Sequence, residues 1–209
     1  MPFEVSGYVL AGGKSSRMGR DKALIELNGR SLVELAVDKL KVVCRDVHIL
    51  SSRLDLGVFA PLVADVHPGC GPMSGVEAAL LDASCLWSLF VPVDMPFLEV
   101  EFLREWLRRV LLLPDARIAL FTIGERPQPT LCMLHREVLP FVQRALEEGR
   151  YKMNPMLETA GKGLAAEHGR AFEEVFLNRS FAEENVFANI NTPEEFAEAE
   201  QAVGTHFVG

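Results

Sequence analysis

The sequence predicts an α/β domain in three layers, a mostly parallel twisted sheet with helices on both faces, and three observations lead there. Apolar runs of strand length alternate with segments of helical spacing from the N-terminus to about Thr122. One run, Leu86 to Val93, is apolar almost throughout, as a strand covered on both faces must be. Glycine-rich or aspartate-bearing turns follow several of the strand-like runs, where an open α/β sheet collects ligands.

The elements follow in order. Val5 to Leu10 is a short apolar run ending in glycines. From Ser31 to Leu40 the apolar residues recur at helical spacing, with Ser31 placed to cap and Glu34 three residues on to complete a capping box. Val47 to Leu50 and Leu62 to Ala64 read as strands, Gly75 to Ala83 as a helix, Leu86 to Val93 as the buried strand, Leu98 to Leu113 as a helix and Ile118 to Ile123 as a strand. Beyond Thr122 the alternation weakens. Thr130 to Leu134 reads as a strand and Pro140 to Glu148 as a helix. A final helix runs to about Val203 from a Thr192 cap, with Pro193 at its first position and Glu195 at its third. No repeat or linker divides the chain, so residues 1–209 are expected to form one domain.

Composition narrows the function. A net charge of −8 and a basic-aromatic content too sparse for a stacking platform argue against nucleic acid as partner. No apolar run approaches the ~18 residues of a membrane span, and Glu4 interrupts the N-terminus before a signal-peptide core, so a cytoplasmic protein is expected. Cys44, Cys70, Cys85 and Cys132 are too scattered for a zinc site and read as reduced structural thiols. The five histidines lie in no catalytic context, and Trp87 and Trp106 fall in core periods.

The segment LAGGKSSRMGRDK, Leu10 to Lys22, combines three glycines with Lys14, Arg17, Arg20 and Lys22, a composition suited to a triphosphate. Two familiar phosphate loops fail on counting. A P-loop ending in Gly13-Lys14-Ser15 needs glycine where Tyr8 stands. A dinucleotide fingerprint from Gly12 needs glycines at Lys14 and Arg17, and one from Gly13 needs them at Ser15 and Met18.

What remains, L-A-G-G followed by S-x-R-M-G-x-D-K, resembles the signature of the MobA-like nucleotidyltransferases, and further motifs of that family follow in order. Asp65 is followed by Gly71-Pro72-Met73-Ser74-Gly75, similar to the G-P-L-A-G of molybdenum cofactor guanylyltransferases. Pro92-Val93-Asp94-Met95-Pro96 resembles the metal-binding D-x-P, and Pro129-Thr130 and Asn189-Ile190-Asn191-Thr192-Pro193-Glu194-Glu195 match the later elements. The resemblance spans about residues 6 to 203 and implies a Rossmann-like nucleotidyltransferase fold. It implies Mg²⁺-dependent transfer of GMP from GTP to molybdopterin, giving molybdopterin guanine dinucleotide and pyrophosphate. Transient contacts with molybdenum cofactor biosynthesis proteins and apo-molybdoenzymes also follow from it.

Carried onto this chain, Leu10, Ala11, Gly12 and Gly13 line the nucleotide, and Lys22 and Arg17 neutralise triphosphate and departing pyrophosphate. Asp94 holds Mg²⁺ and counts with Lys22 and Arg17 as catalytic, although by position alone it serves equally as a helix cap. Asp65 contacts the nucleotide, or forms a turn before His67-Pro68-Gly69. Asn189 and Asn191 line the second substrate, or serve as turn former and cap neighbour. Ser51 stands near an expected nucleotide-binding asparagine. Met73 and Ser74 depart from Leu and Ala in the family segment, which leaves guanine favoured. Rival readings are a cytidylyltransferase, a sugar-phosphate nucleotidyltransferase, and, in another class, a non-catalytic nucleotide-binding or cofactor-delivery protein.

Overall fold

Strand β1 (Phe3–Leu10) stands near the middle of a seven-stranded sheet ordered β5-β4-β1-β6-β8-β7-β9. The structure is a computed structural model that describes residues 1–11 and 22–181. After β1 come a two-strand hairpin of β2 (Glu26–Leu27) and β3 (Arg30–Ser31), then α1 (Leu32–Val43), β4 (Cys44–Leu50), β5 (Leu62–Val63) and α2 (Pro72–Asp82). Next are β6 (Trp87–Pro92), α3 (Val100–Leu111), β7 (Ile118–Ile123), β8 (Arg126–His135) and α4 (Leu139–Glu147). The last described elements are α5 (Met153–His168), α6 (Phe172–Val175) and β9 (Phe176–Phe181).

The pairs β5–β4, β4–β1, β1–β6 and β7–β9 are parallel, while β8 runs antiparallel to both β6 and β7. One reversed strand in seven leaves the sheet mostly parallel. The alternation of side chains along each strand separates two cores. Val5, Val9, Leu89 and Val91 pack against α1 and α3, while Tyr8, Leu10, Phe90 and Cys132 pack against α2, α4 and α5. This is the expected three-layer arrangement.

Local chemistry sets the ends of the elements. Ser31 caps α1, its hydroxyl accepting from the Glu34 N–H at 3.3 Å, a contribution of about 1 kcal/mol. At the β2–β3 turn Asn28 and Gly29 have φ of 52° and 74°, the paired left-handed conformations of a tight hairpin. Gly7 in β1 faces Cys44, whose Sγ would lie 2.9 Å from an added Cβ, so no larger residue fits between β1 and β4.

Four differences from expectation have physical reasons. Helix α2 starts at Pro72 rather than Gly75, because proline needs no N–H in a first helical turn. Strand β8 begins at Arg126 rather than Thr130 and is antiparallel, a direction that an apolar run does not encode. Helix α5 escapes the apolar period because Gly161 and Gly163 interrupt it; an added Cβ would meet Phe172 and Phe176 at Gly161, and Phe141 at 2.4 Å from Gly163. Helix α6 and β9 are too short for a period to show. The helix expected from Thr192 to Val203 lies outside the described residues.

The four cysteines are free thiols, and burial pushes Cys44 and Cys132 well above the usual range. His48 stacks on Tyr8 with ring centroids 5.5 Å apart, and His135 meets Trp87 edge-on at 5.3 Å. Among the described residues no helix is long and apolar enough to cross a membrane.

Candidate active site

The parallel strands β5, β4, β1 and β6 end on one edge of the sheet, since Leu10 pairs with both Leu50 and Pro92, and Leu50 with Val63. The residues just beyond those ends therefore share a crevice rim. Ala11 follows β1, Ser51 follows β4, Asp65 lies two residues past β5 and Asp94 two past β6. The pairing is prolonged by Val93 N–H donating to Leu10 at 3.3 Å and Ser51 N–H donating to Val63 at 3.1 Å. These bonds fix the backbone on which the carboxylates stand.

Asp94 sits in the turn after Pro92 and is not a helix cap, because α3 begins at Val100 behind Glu99. Lys22 reaches it with Nζ 3.4 Å from Oδ2, the side chains being 21% and 24% exposed. At that distance the pair is longer than a tight charge-assisted hydrogen bond of about 2.7–2.9 Å. Both groups keep access to a ligand.

Lys22 owes its place to a short chain of contacts. It opens a one-turn 3-10 segment, Lys22–Leu24, closed by Ile25 N–H on the Lys22 carbonyl at 3.2 Å. Leu32 N–H at the head of α1 then donates to Ile25 at 2.9 Å, so the capped helix anchors the segment that carries the lysine.

Asp65 projects beside the first turn of α2; its Oδ1 lies 3.5 Å from where a Cβ on Gly75 would stand. The residue is exposed, yet loss of water on the side facing the helix raises its carboxyl above the usual range. Ser51 is 7% exposed, and its hydroxyl accepts from the Arg53 N–H at 3.2 Å, so its described role is to close the turn after β4.

Leu10, Ala11, Lys22, Asp65 and Asp94 thus gather at one edge. Gly12, Gly13, Arg17, Asn189 and Asn191 lie outside the described residues. One residue at this edge escaped the sequence reading. Lys39 of α1 donates from Nζ to the Pro96 carbonyl, tying the turn that carries Asp94 to the helix. Burial, and then the Arg30 charge, lower its pKa to about 8. A lysine on an amphipathic helix offers no signal of such a bond 57 residues away.

Among the described residues no three His, Cys, Asp or Glu side chains converge as a metal cage. A single accessible carboxylate nevertheless suits Mg²⁺, which keeps several waters and takes phosphate oxygens besides one or two carboxylates. Asp94 fits that donor pattern.

Comparison with known proteins gives the chain a family. The family profile described as MobA-like NTP transferase domain matches residues 7–171. A molybdenum cofactor guanylyltransferase of Vibrio atlanticus is 35% identical over 202 residues, covering 95% of this chain and 96% of that protein. A probable molybdenum cofactor guanylyltransferase of Halalkalibacterium halodurans is 30% identical, covering 92% and 96%. The crystal structure of molybdopterin-guanine dinucleotide biosynthesis protein A from Archaeoglobus fulgidus shares the fold at a TM-score of 0.72 and 21% identity, covering 96% of this chain and 99% of its own. With a profile over most of its length and relatives at this identity, the chain belongs to the MobA-like NTP transferase family and is a nucleotidyltransferase.

Proposed function

We propose that the chain transfers GMP from GTP to the terminal phosphate of molybdopterin, releasing pyrophosphate and forming molybdopterin guanine dinucleotide. The observation that supports this most is the Lys22–Asp94 approach at the carboxyl edge of β1 and β6, a cation and a hard oxygen donor side by side on one rim. The names of the relatives supply the nucleotide and the acceptor.

In the reaction an oxygen of the pterin phosphate forms a bond to the α-phosphorus as the α–β bridging bond breaks, and the electron pair leaves with pyrophosphate. The attacking oxygen is already ionised, so this chain needs no general base. Lys22, with Arg17, neutralises charge that gathers on the departing phosphates. Leu10 and Ala11, with Gly12 and Gly13, bring backbone close to the nucleotide, and Asp65 fixes it from the β5 side. Asn189 and Asn191 orient the pterin. Asp94 is the residue to hold Mg²⁺, which when bound supplies Lewis-acid polarisation of the phosphates. Catalysis on this reading is positioning and electrostatics. One domain of residues 1–209 working in the cytoplasm, with transient contacts to cofactor-making and cofactor-accepting proteins, completes the reading.

The test is a pair of transfer assays with molybdopterin and Mg²⁺, one with GTP and one with CTP, following pyrophosphate and pterin product together. Turnover with GTP alone is expected. Turnover with CTP alone reassigns the base, and binding of GTP without turnover points to a non-catalytic carrier.

A further inference from the structure

The loop from Asp65 to Gly71 is fastened to α2 by two side chains that the proposed reaction leaves unused. Ser74 and Glu77, in the first two turns of the helix, are 0% and 2% exposed. Ser74 Oγ accepts from the backbone N–H of His67 at 2.9 Å. The His67 ring meets the other anchor, Nδ1 donating to Glu77 Oε2 at 2.6 Å. Both bonds therefore end on one loop residue, half exposed itself, once through its backbone and once through its imidazole.

A buried carboxylate is strongly unfavourable unless it is paired and hydrogen-bonded. Glu77 meets that demand with a residue of the loop, so the loop cannot leave α2 without stranding the carboxylate. The segment needs such a restraint, because Gly69 and Gly71 adopt φ of 93° and 65° and a glycine-rich loop has many other states. His67 lies two residues past Asp65, which fixes the nucleotide on the reading above. Ser74, moreover, is a position where G-P-M-S-G departs from the family segment, and its hydroxyl makes one of the two bonds.

We propose that Ser74 and Glu77 are positioning residues that hold the Asp65-to-Gly71 wall in its binding conformation before the nucleotide arrives, so that its ordering is completed on folding and does not weaken binding. The inference rests on that wall being part of the nucleotide site. It does not depend on which base is bound.

Glu77→Met is the informative variant, since an apolar side chain of similar length removes the buried charge and the half-exposed His67 ring it leaves behind can be hydrated. Its KM for the nucleotide is expected to rise about tenfold with kcat within about twofold, the signature of lost ground-state organisation. Ser74→Ala should raise KM about threefold by the same logic. Hydrogen exchange of the 67–71 amides should quicken in both. Unchanged KM and unchanged exchange overturn the proposal and leave the pair a packing feature; if Glu77→Met does not fold, Ser74→Ala decides by the same two readings. Should the wild type prefer CTP, the base assignment fails while the variants are measured with CTP. Should it bind no nucleotide, the functional reading fails and this proposal falls with it, even if quickened exchange shows that the two bonds order the loop.

Discussion

The strands β1 and β4 carry polar groups at both ends, and the two ends differ in what those groups do. Toward the amino end, Ser6 and Tyr8 pair across with Asp46 and His48, beneath the C-terminus of α2. There Tyr8 donates to Asp82 at 3.1 Å, Ser84 donates to Asp46, and His48 Nδ1 stands 3.8 Å from carboxylates of both aspartates. Burial, and then Asp82, push the Tyr8 phenol far above its ordinary range, so it stays protonated and donates to Asp82. At the carboxyl end the described pair Lys22 and Asp94 engages at longer range, 3.4 Å. The first cluster is tied into the strands and the end of α2 by Tyr8 and Ser84, whereas the Lys22–Asp94 pair is partly exposed and open to a ligand. Placement beyond the carboxyl ends of parallel strands is what marks the second set as the candidate site.

The sharpest way to break this comparison is to remove groups from each end. Asp94→Ala and Lys22→Ala should each lower turnover by about 10²–10³-fold, typical for the loss of a group that stabilises developing charge, with melting temperatures close to wild type. Pyrophosphate release reads this directly, and near-normal rates in either variant would move that residue out of the mechanism. Tyr8→Phe should do the reverse. It removes the donor to Asp82 and is expected to cost about 1 kcal/mol in urea unfolding while leaving kcat unaltered. A catalytic loss there would erase the distinction between the two ends.

Smaller effects sharpen it through pH. The folded pKa of Lys39, about 8, lies below its unfolded value of about 10.4, so the unfolded chain binds more protons between the two. Relative to Lys39→Met, the wild type should therefore gain stability as pH rises from about 8 to about 10.4, followed by chemical denaturation. For Asp65 the sign is opposite. Its raised carboxyl favours the folded state at low pH, and that contribution fades as pH climbs past about 3.9. Asp65→Asn should be slightly more stable than the wild type at pH 7, with the gain vanishing in acid, while nucleotide affinity measured by calorimetry falls. Equal affinity would take Asp65 out of the binding rim.

Much of the first half of the fold was legible because each strand and helix there carries its own signal. Ser31 and Glu34 announced α1, and the apolar run before Asp94 announced β6. Ile118 to Ile123 matched β7 at both ends. The rim residues Lys22, Asp65 and Asp94 were readable from the family motifs. The contacts that brace them were not, because Lys39 with Pro96 and His67 with Glu77 depend on which helix faces which loop. The hairpin at Asn28-Gly29 went unread, because the two-residue strands on either side are too short for alternation to show. Helix α5 is the clearest failure of pattern reading, since its glycines serve neighbouring phenylalanines rather than the helix itself.

Those glycines have a consequence for the order in which the chain assembles. A segment with Gly161, Gly163 and Pro155 has little tendency to be helical alone, each interior glycine costing about 1 kcal/mol relative to alanine. Its helical state is secured by Phe141 from α4 and by Phe172 and Phe176 from the segment that follows. Helix α5 is therefore expected to form late, by docking, whereas α1 carries its own start signal in the Ser31 cap. The rim that carries Lys22 and Asp94 begins in the part of the chain made first, and the aromatic clasp around α5 gathers residues from the later part of the described chain.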